Sequence, residues 1–129
     1  MLKTDDEITF VDKPWGYERI WAETENYVGK FLFIQEGHSL SRQFHKVKDE
    51  TIYVLSGPLV LETGPEHPDD EVRQIGVIEG ESVRIRPGVV HRFCATAGAD
   101  VELIEVSTNH LDDVVRIEDS YGRIPNVSA

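Results

Sequence analysis

Residues 37–57 read GHSLSRQFHKVKDETIYVLSG: a short alternating run, a polar segment and an apolar run, framed by two glycines. In an extended chain alternate side chains share a face, so Gln43 and His45 point the same way. Glu50 follows the polar segment KVKD at the head of the apolar run. A hairpin through that segment is expected to fold its carboxylate back beside the imidazole. Imidazole, carboxylate and a further oxygen donor form a metal-ligand set. A second stretch, IRPGVVHRF at residues 85–93, supplies His91, with Phe93 and Ala95 on the same face.

Neutral imidazoles, one carboxylate and one amide leave a divalent ion with net positive charge and open positions, which a catalytic rather than a structural site requires. Zinc is the first expectation. Manganese, nickel, cobalt and iron suit the same donors, and affinity order alone does not choose among them.

Short strands continue on both sides of this stretch. Ile8–Val11 and the alternating YERIWA precede it, separated by the turn Lys13-Pro14-Trp15-Gly16. Trp15 is expected to pack on the outside of a barrel. NYVGKFLFIQE, residues 26–36, is rich in aromatic and branched residues and is the clearest strand of the first half. Lys30 opens its apolar part. Lysine is rarely buried unpaired, so a solvated strand end is expected; the alternative is an inward lysine that contacts an anionic ligand. His38 lies in a turn and is expected to be exposed.

After Gly57, Pro58–Glu62 reads as the second arm of a tight hairpin. TGPEHPDD is a surface loop, and His67 in it has no partner in sequence. EVRQIGVI, SVRIR, VVHRFCA and VELIEV follow as strands, and Val114–Ile117 is a last short apolar run. The final residues are expected to wander. Nine or ten short strands with frequent turns, and no sustained helical period, predict an all-β sandwich or barrel over 1–129 as a single domain.

The chain has 129 residues and a formal charge of −11, from 13 basic and 24 acidic side chains. That balance argues against nucleic acid and serves solubility. An anionic ligand would need local basic groups to overcome the field. No apolar run is long enough to span a bilayer, the N-terminus lacks a signal-peptide pattern, and one cysteine permits no internal disulfide. A cytoplasmic protein without membrane contact is expected.

The two ligand stretches resemble the cupin signature. Gly37, Gln43, His45, Glu50 and Gly57 fall in register with its first motif, and Gly80, Gly88 and His91 with its second. Pro87 is displaced by one place, with Arg86 where the motif has proline. The resemblance implies a cupin double-stranded β-helix, a jelly-roll barrel with its metal inside one end.

A closer resemblance, to the C-terminal cupin domain of type II mannose-6-phosphate isomerases, spans nearly the whole chain. It rests on KPWGYE at 13–18, LSRQFH at 40–45, RPGVVHRF at 86–93, LIEVST at 103–108 and DDVVRIEDSYGR at 112–123. Those domains are usually fused to mannose-1-phosphate guanylyltransferase, whose half and glycine-rich loop are not seen here. The family often uses Gln as first ligand, in keeping with Gln43. The zinc-dependent type I isomerases are similar in using Gln, His, Glu and His. Their active-site arginine lies in a segment similar to DDVVR, which points at Arg116. Type II members commonly carry a further His where this chain has Val47.

The activity implied is aldose–ketose interconversion of a sugar phosphate. A metal polarises the carbonyl and hydroxyl oxygens, and a base moves a proton between C1 and C2 through an enediol. The base is not legible. Arg116, with Lys30 and Arg123, is expected to hold phosphate, arginine being suited to a bidentate grip. Tyr53 and Arg92 have the opposite strand parity from the ligands and are expected to pack outward. Two other functions remain open: a non-catalytic carbohydrate-binding cupin, and an iron-type dioxygenase using His45, Glu50 and His91 as a facial triad. A homodimer is expected, since small cupins often pair sheets.

Overall fold

The computed structural model describes residues 1–64 and 70–123. His67 and the final residues lie outside the described residues. Apart from a short 3-10 turn at Asp5–Glu7, the regular structure is β. The strands are β1 (Thr9–Lys13), β2 (Gly16–Glu23), β3 (Val28–Ile34), β4 (Arg42–Phe44), β5 (Glu50–Ser56), β6 (Leu59–Thr63), β7 (Arg73–Val77), β8 (Ser82–Ile85), β9 (His91–Cys94), β10 (Val101–Ser107) and β11 (Val115–Glu118). They form a six-stranded sheet, ordered β1-β2-β3-β10-β5-β8, and a five-stranded sheet, ordered β11-β4-β9-β6-β7. All pairings are antiparallel. This is the cupin jelly roll.

Two expected hairpins are absent. β4 and β5 belong to different sheets, as do β5 and β6. The chain turns a corner at each point, as strands do when they switch sheets. Both edges of β5 are taken by distant segments, β10 and β8. Pro58 has no N–H to give to a ladder, which suits the start of a strand. Local turn chemistry suggested hairpins because it carries no record of these distant partners.

The core follows from alternation. Leu32 and Ile34 on β3, Ile52 and Val54 on β5, and Leu103 on β10 face Leu59, Leu61 and Phe93 of the other sheet, all buried. Each such burial stabilises by about 1.5–3 kcal/mol. Trp15 corrects an expectation: it belongs to this core, not to the outside. Its carbonyl accepts the Gln35 N–H at 2.8 Å, and Gly16 pairs with Ile34. A Cβ on Gly16 would stand 2.0 Å from the Phe33 carbonyl oxygen, and its φ is +153°. Only glycine allows β2 to begin so close to β3, and that approach carries the indole inward.

Along three strands the inward row then turns polar. Lys30 follows from Leu32 on β3, Glu105 from Leu103 on β10, and Glu50 from Ile52 on β5; all three charged residues are buried. Lys30 lies opposite Glu105 across the β3–β10 ladder. One end of the barrel is therefore a packed core and the other a charged cavity.

Candidate metal centre

The cavity has a volume of about 310 Å³, at the small end of the range for small-ligand pockets. His45, Glu50 and His91 meet in its wall, with one donor atom from each within 4.8 Å of the others. His45 comes at the end of β4, His91 opens β9, and Glu50 opens β5 from the facing sheet. The carboxylate thus reaches the imidazoles across the barrel rather than around a hairpin. Gln43 pairs with His91 in the β4–β9 ladder and lines the same cavity.

The hydrogen bonds of the two histidines fix their tautomers. His45 Nδ1 donates to the Asp113 carbonyl, and His91 Nδ1 donates to the Val89 carbonyl at 2.9 Å. A carbonyl only accepts, so both Nδ1 atoms carry hydrogen and, in the neutral rings, both Nε2 atoms are bare lone pairs. These lie 3.5 Å (His45) and 3.1 Å (His91) from Glu50 Oε1. That oxygen is buried without a hydrogen-bond partner among the described residues. Facing lone pairs require a positive centre. Two atoms each about 2.1 Å from one ion stand about 3.0 Å apart at a right angle and about 3.4 Å at a tetrahedral angle. The donors therefore fit a divalent metal. Burial pushes the Glu50 carboxyl up, but the His45 and His91 rings beside it and the Lys48 charge outweigh burial and hold the group well below the usual carboxylate range.

Lys48 and Glu105 were not singled out in the sequence. Lys48 Nζ is 3.0 Å from Glu50 Oε2 and 3.2 Å from Glu105 Oε2, all three groups being buried. Burial alone would lower Lys48, but the two carboxylates raise it. Burial and the neighbouring Glu50 charge push the Glu105 carboxyl up to about 7. One ammonium between two carboxylates favours ionised Glu50. The missed signal was parity: Val101 and Leu103 are inward, so Glu105 in VELIEV must be too. Lys48 carried no such signal, because it sits in a turn.

Asp113 holds this arrangement. Its carboxylate accepts the backbone N–H groups of Lys46 (3.0 Å), Val47 (2.7 Å) and Lys48 (2.9 Å). Burial works against ionisation, but these bonds bring its pKa down to about 2. Val47 itself is exposed, so a side chain at that position faces solvent.

Basic residues line the same cavity. Lys30 is buried, against the expected solvated end, and its ammonium sits 3.4 Å from Glu18. Lys13 is 4.0 Å from Glu18. Its pKa is lowered, first by burial, with Lys30, Arg123 and Arg116 adding to the effect and Glu18 opposing it. Arg116 pairs with Gln43 across the β11–β4 ladder, and its buried Nε has no partner among the described residues. Burial, then the Arg123 charge, lowers its pKa. Arg123 is held by Asp119 at 2.7 Å and lies over the Tyr121 ring. His38 is half-buried rather than exposed, its Nδ1 2.7 Å from the Tyr121 hydroxyl. Tyr53 points outward and is exposed; Arg92 also points away from the cavity but is buried between Glu62 and Glu118.

Residues 3–119 match the family model described as "Mannose-6-phosphate isomerase C-terminal". The chain belongs to the mannose-6-phosphate isomerase C-terminal family. Among curated relatives, the mannose-1-phosphate guanylyltransferase ManC of Salmonella typhimurium is 37% identical over 118 residues, and the xanthan biosynthesis protein XanB of Xanthomonas campestris is 34% identical over 116. Each match covers 88% of this chain but 23% of the relative, so the chain spans about a quarter of their length. Among solved structures, the capsular polysaccharide assembling protein CapF of Staphylococcus aureus has a TM-score of 0.74 at 19% identity, covering 86% of this chain and 34% of that one. KdgF from Halomonas has a TM-score of 0.69 at 18% identity, covering 85% and 94%. These likenesses show the fold. No helix among the described residues is long and apolar enough to cross a membrane.

Proposed function

We propose that this member of the mannose-6-phosphate isomerase C-terminal family is a metal-dependent sugar-phosphate isomerase, acting on mannose 6-phosphate or a close relative. The observation that carries the reading is the meeting, in one cavity, of a bare-lone-pair His–Glu–His group with Arg116, Arg123, Lys30 and Lys13. His45, Glu50 and His91, with Gln43, would hold the ion. Zinc is the first choice, with manganese, nickel, cobalt and iron as alternatives. A bound divalent ion supplies Lewis acidity toward the sugar's carbonyl and hydroxyl oxygens.

The chain's own residues do the rest. Arg116, with Arg123 and Lys30, binds the phosphate and sets the sugar's orientation. The Lys48 ammonium, held between Glu50 and Glu105, places a fixed positive charge at the cavity wall. Trp15, Leu40 and Phe93 exclude water from one side.

The test combines elemental mass spectrometry of the untagged protein with an assay of mannose 6-phosphate conversion to fructose 6-phosphate, in wild type and His45→Ala. Stoichiometric metal with turnover, both lost in the variant, is expected. A wild type that takes up no zinc or manganese sinks the metal site. Metal without turnover sinks the isomerase reading. The same His–Glu–His set also suits an oxygen-activating facial triad, and oxygen uptake by the iron form would favour that second reading.

A further inference from the structure

The segment DSYGR, residues 119–123, follows the edge strand β11. Asp119 sets its shape. That carboxylate has no exposed surface and accepts the backbone N–H groups of Tyr121 (3.3 Å) and Arg123 (2.8 Å), as aspartates do in turns. Gly122, at φ +72°, supplies the left-handed step that bends the chain back. The same carboxylate takes Nε (2.7 Å) and Nη2 (3.2 Å) of the Arg123 guanidinium, whose Nη1 has no hydrogen bond among the described residues. Tyr121 fastens this turn to the barrel. Its ring packs against the core cluster and stacks on His38, with centroids 6.0 Å apart and planes 7° from parallel. The Tyr121 hydroxyl and His38 Nδ1 are hydrogen-bonded at 2.7 Å. The Arg123 guanidinium lies 5.6 Å from the centroid of the same ring. His38 is itself pinned: its N–H donates to the Gln35 carbonyl and its carbonyl accepts the Ala95 N–H, each at 2.9 Å.

This fastening works against charge. Arg123 lines the cavity together with Arg116, Lys13 and Lys30. Its charge is felt at both Arg116 and Lys13, where it disfavours their ionised forms. A free arginine on a short segment would swing into solvent to escape that repulsion. Asp119 sits on the same segment as Arg123, so the tie to the barrel falls to Tyr121 and His38. Neither of these two side chains lines the cavity. We propose that Tyr121 and His38 are positioning residues, which keep the Arg123 guanidinium in the cavity to receive the phosphate of a sugar phosphate. The proposal rests on the sugar-phosphate reading of that cavity. A bound anion relieves the repulsion among the clustered cations, and a guanidinium already in place loses less freedom on binding.

Calorimetric titration of the full chain with mannose 6-phosphate, and with inorganic phosphate as the bare anion, tests this. The variants are Arg123→Ala, Tyr121→Phe and His38→Ala, and the last two again in the Arg123→Ala background. Circular dichroism checks that each one folds. Arg123→Ala is expected to bind about 10–100-fold more weakly, the loss of one charged hydrogen bond. Tyr121→Phe and His38→Ala are each expected to bind about 3–10-fold more weakly, the loss of one neutral hydrogen bond. In the Arg123→Ala background neither should weaken binding further, because the guanidinium they hold is gone. Wild-type affinity in Tyr121→Phe and His38→Ala, with Arg123→Ala impaired, overturns the proposal and leaves the sugar-phosphate reading standing. Equal losses with and without Arg123 overturn it too, since they mark a merely structural role. A wild type that binds neither probe overturns the proposal and the sugar-phosphate reading together.

Discussion

Asp113→Ala removes the acceptor for three consecutive backbone N–H groups and loosens the carbonyl that fixes the His45 tautomer. The site is partly open, so water takes up much of the loss. The nearest measured analogue is truncation of a helix N-cap, which costs about 0.5–2 kcal/mol. For a domain of this size that corresponds to a fall in Tm of about 3–6 °C per kcal/mol. Asp113 titrates in the folded state at about 2 against an ordinary 3.8. Its contribution is therefore present above about pH 4 and lost as pH falls through about 2. The variant should flatten that acid limb of the stability curve. Residues that orient a metal-bound imidazole typically matter about 10–100-fold in metal affinity. Competition with a chromogenic chelator should show that loss in Asp113→Ala, while Glu50→Ala removes binding altogether. An Asp113→Ala protein with unchanged Tm, unchanged acid limb and unchanged metal affinity would refute the reasoning.

Other outcomes follow from the same geometry. Glu105 has a folded pKa of about 7 against an ordinary 4.5, so its contribution to the stability of the metal-free protein is full below about pH 4.5 and lost as pH rises through about 7. Urea midpoints should fall across that window in wild type and stay level in Glu105→Gln; parallel curves would contradict the assignment. Arg116→Ala should raise KM for a sugar phosphate about 10–100-fold, the loss of one charged hydrogen bond, without changing metal content. An unchanged KM would remove Arg116 from the phosphate site. Gly16→Ala drives a Cβ against the Phe33 carbonyl and should cost about 3 kcal/mol or more, by strain at a special backbone position. Gly76→Ala, with open space around it, should be tolerated; equal chemical-denaturation midpoints for the two would sink this account of the β2 start.

Much of the barrel was legible in the chain. Alternation in residues 26–36 and VELIEV located β3 and β10 and their inward faces, because a strand's side-chain period is two whatever it pairs with. The same rule put Gln43 and His45 on one face, and His91 with Phe93. The family resemblance pointed at Arg116 through DDVVR. What pairs with what was not legible. The KVKD segment and the Gly57 corner looked like hairpins, yet β5 pairs with β10 and β8. Trp15 looked like an outer residue until the close approach at Gly16 carried it inward. Lys30 looked like a solvated end until Glu18 and the cavity were seen together. Glu105 and Asp113 reach Lys48 and His45 from more than 50 residues away in sequence. The sequence by itself determined most of the strands, their faces and the candidate metal donors, because these depend on residue type and local period. Tertiary structure alone decided the charge network, since a buried ion pair is set by which distant strands the barrel closes together, and nothing local encodes that distance.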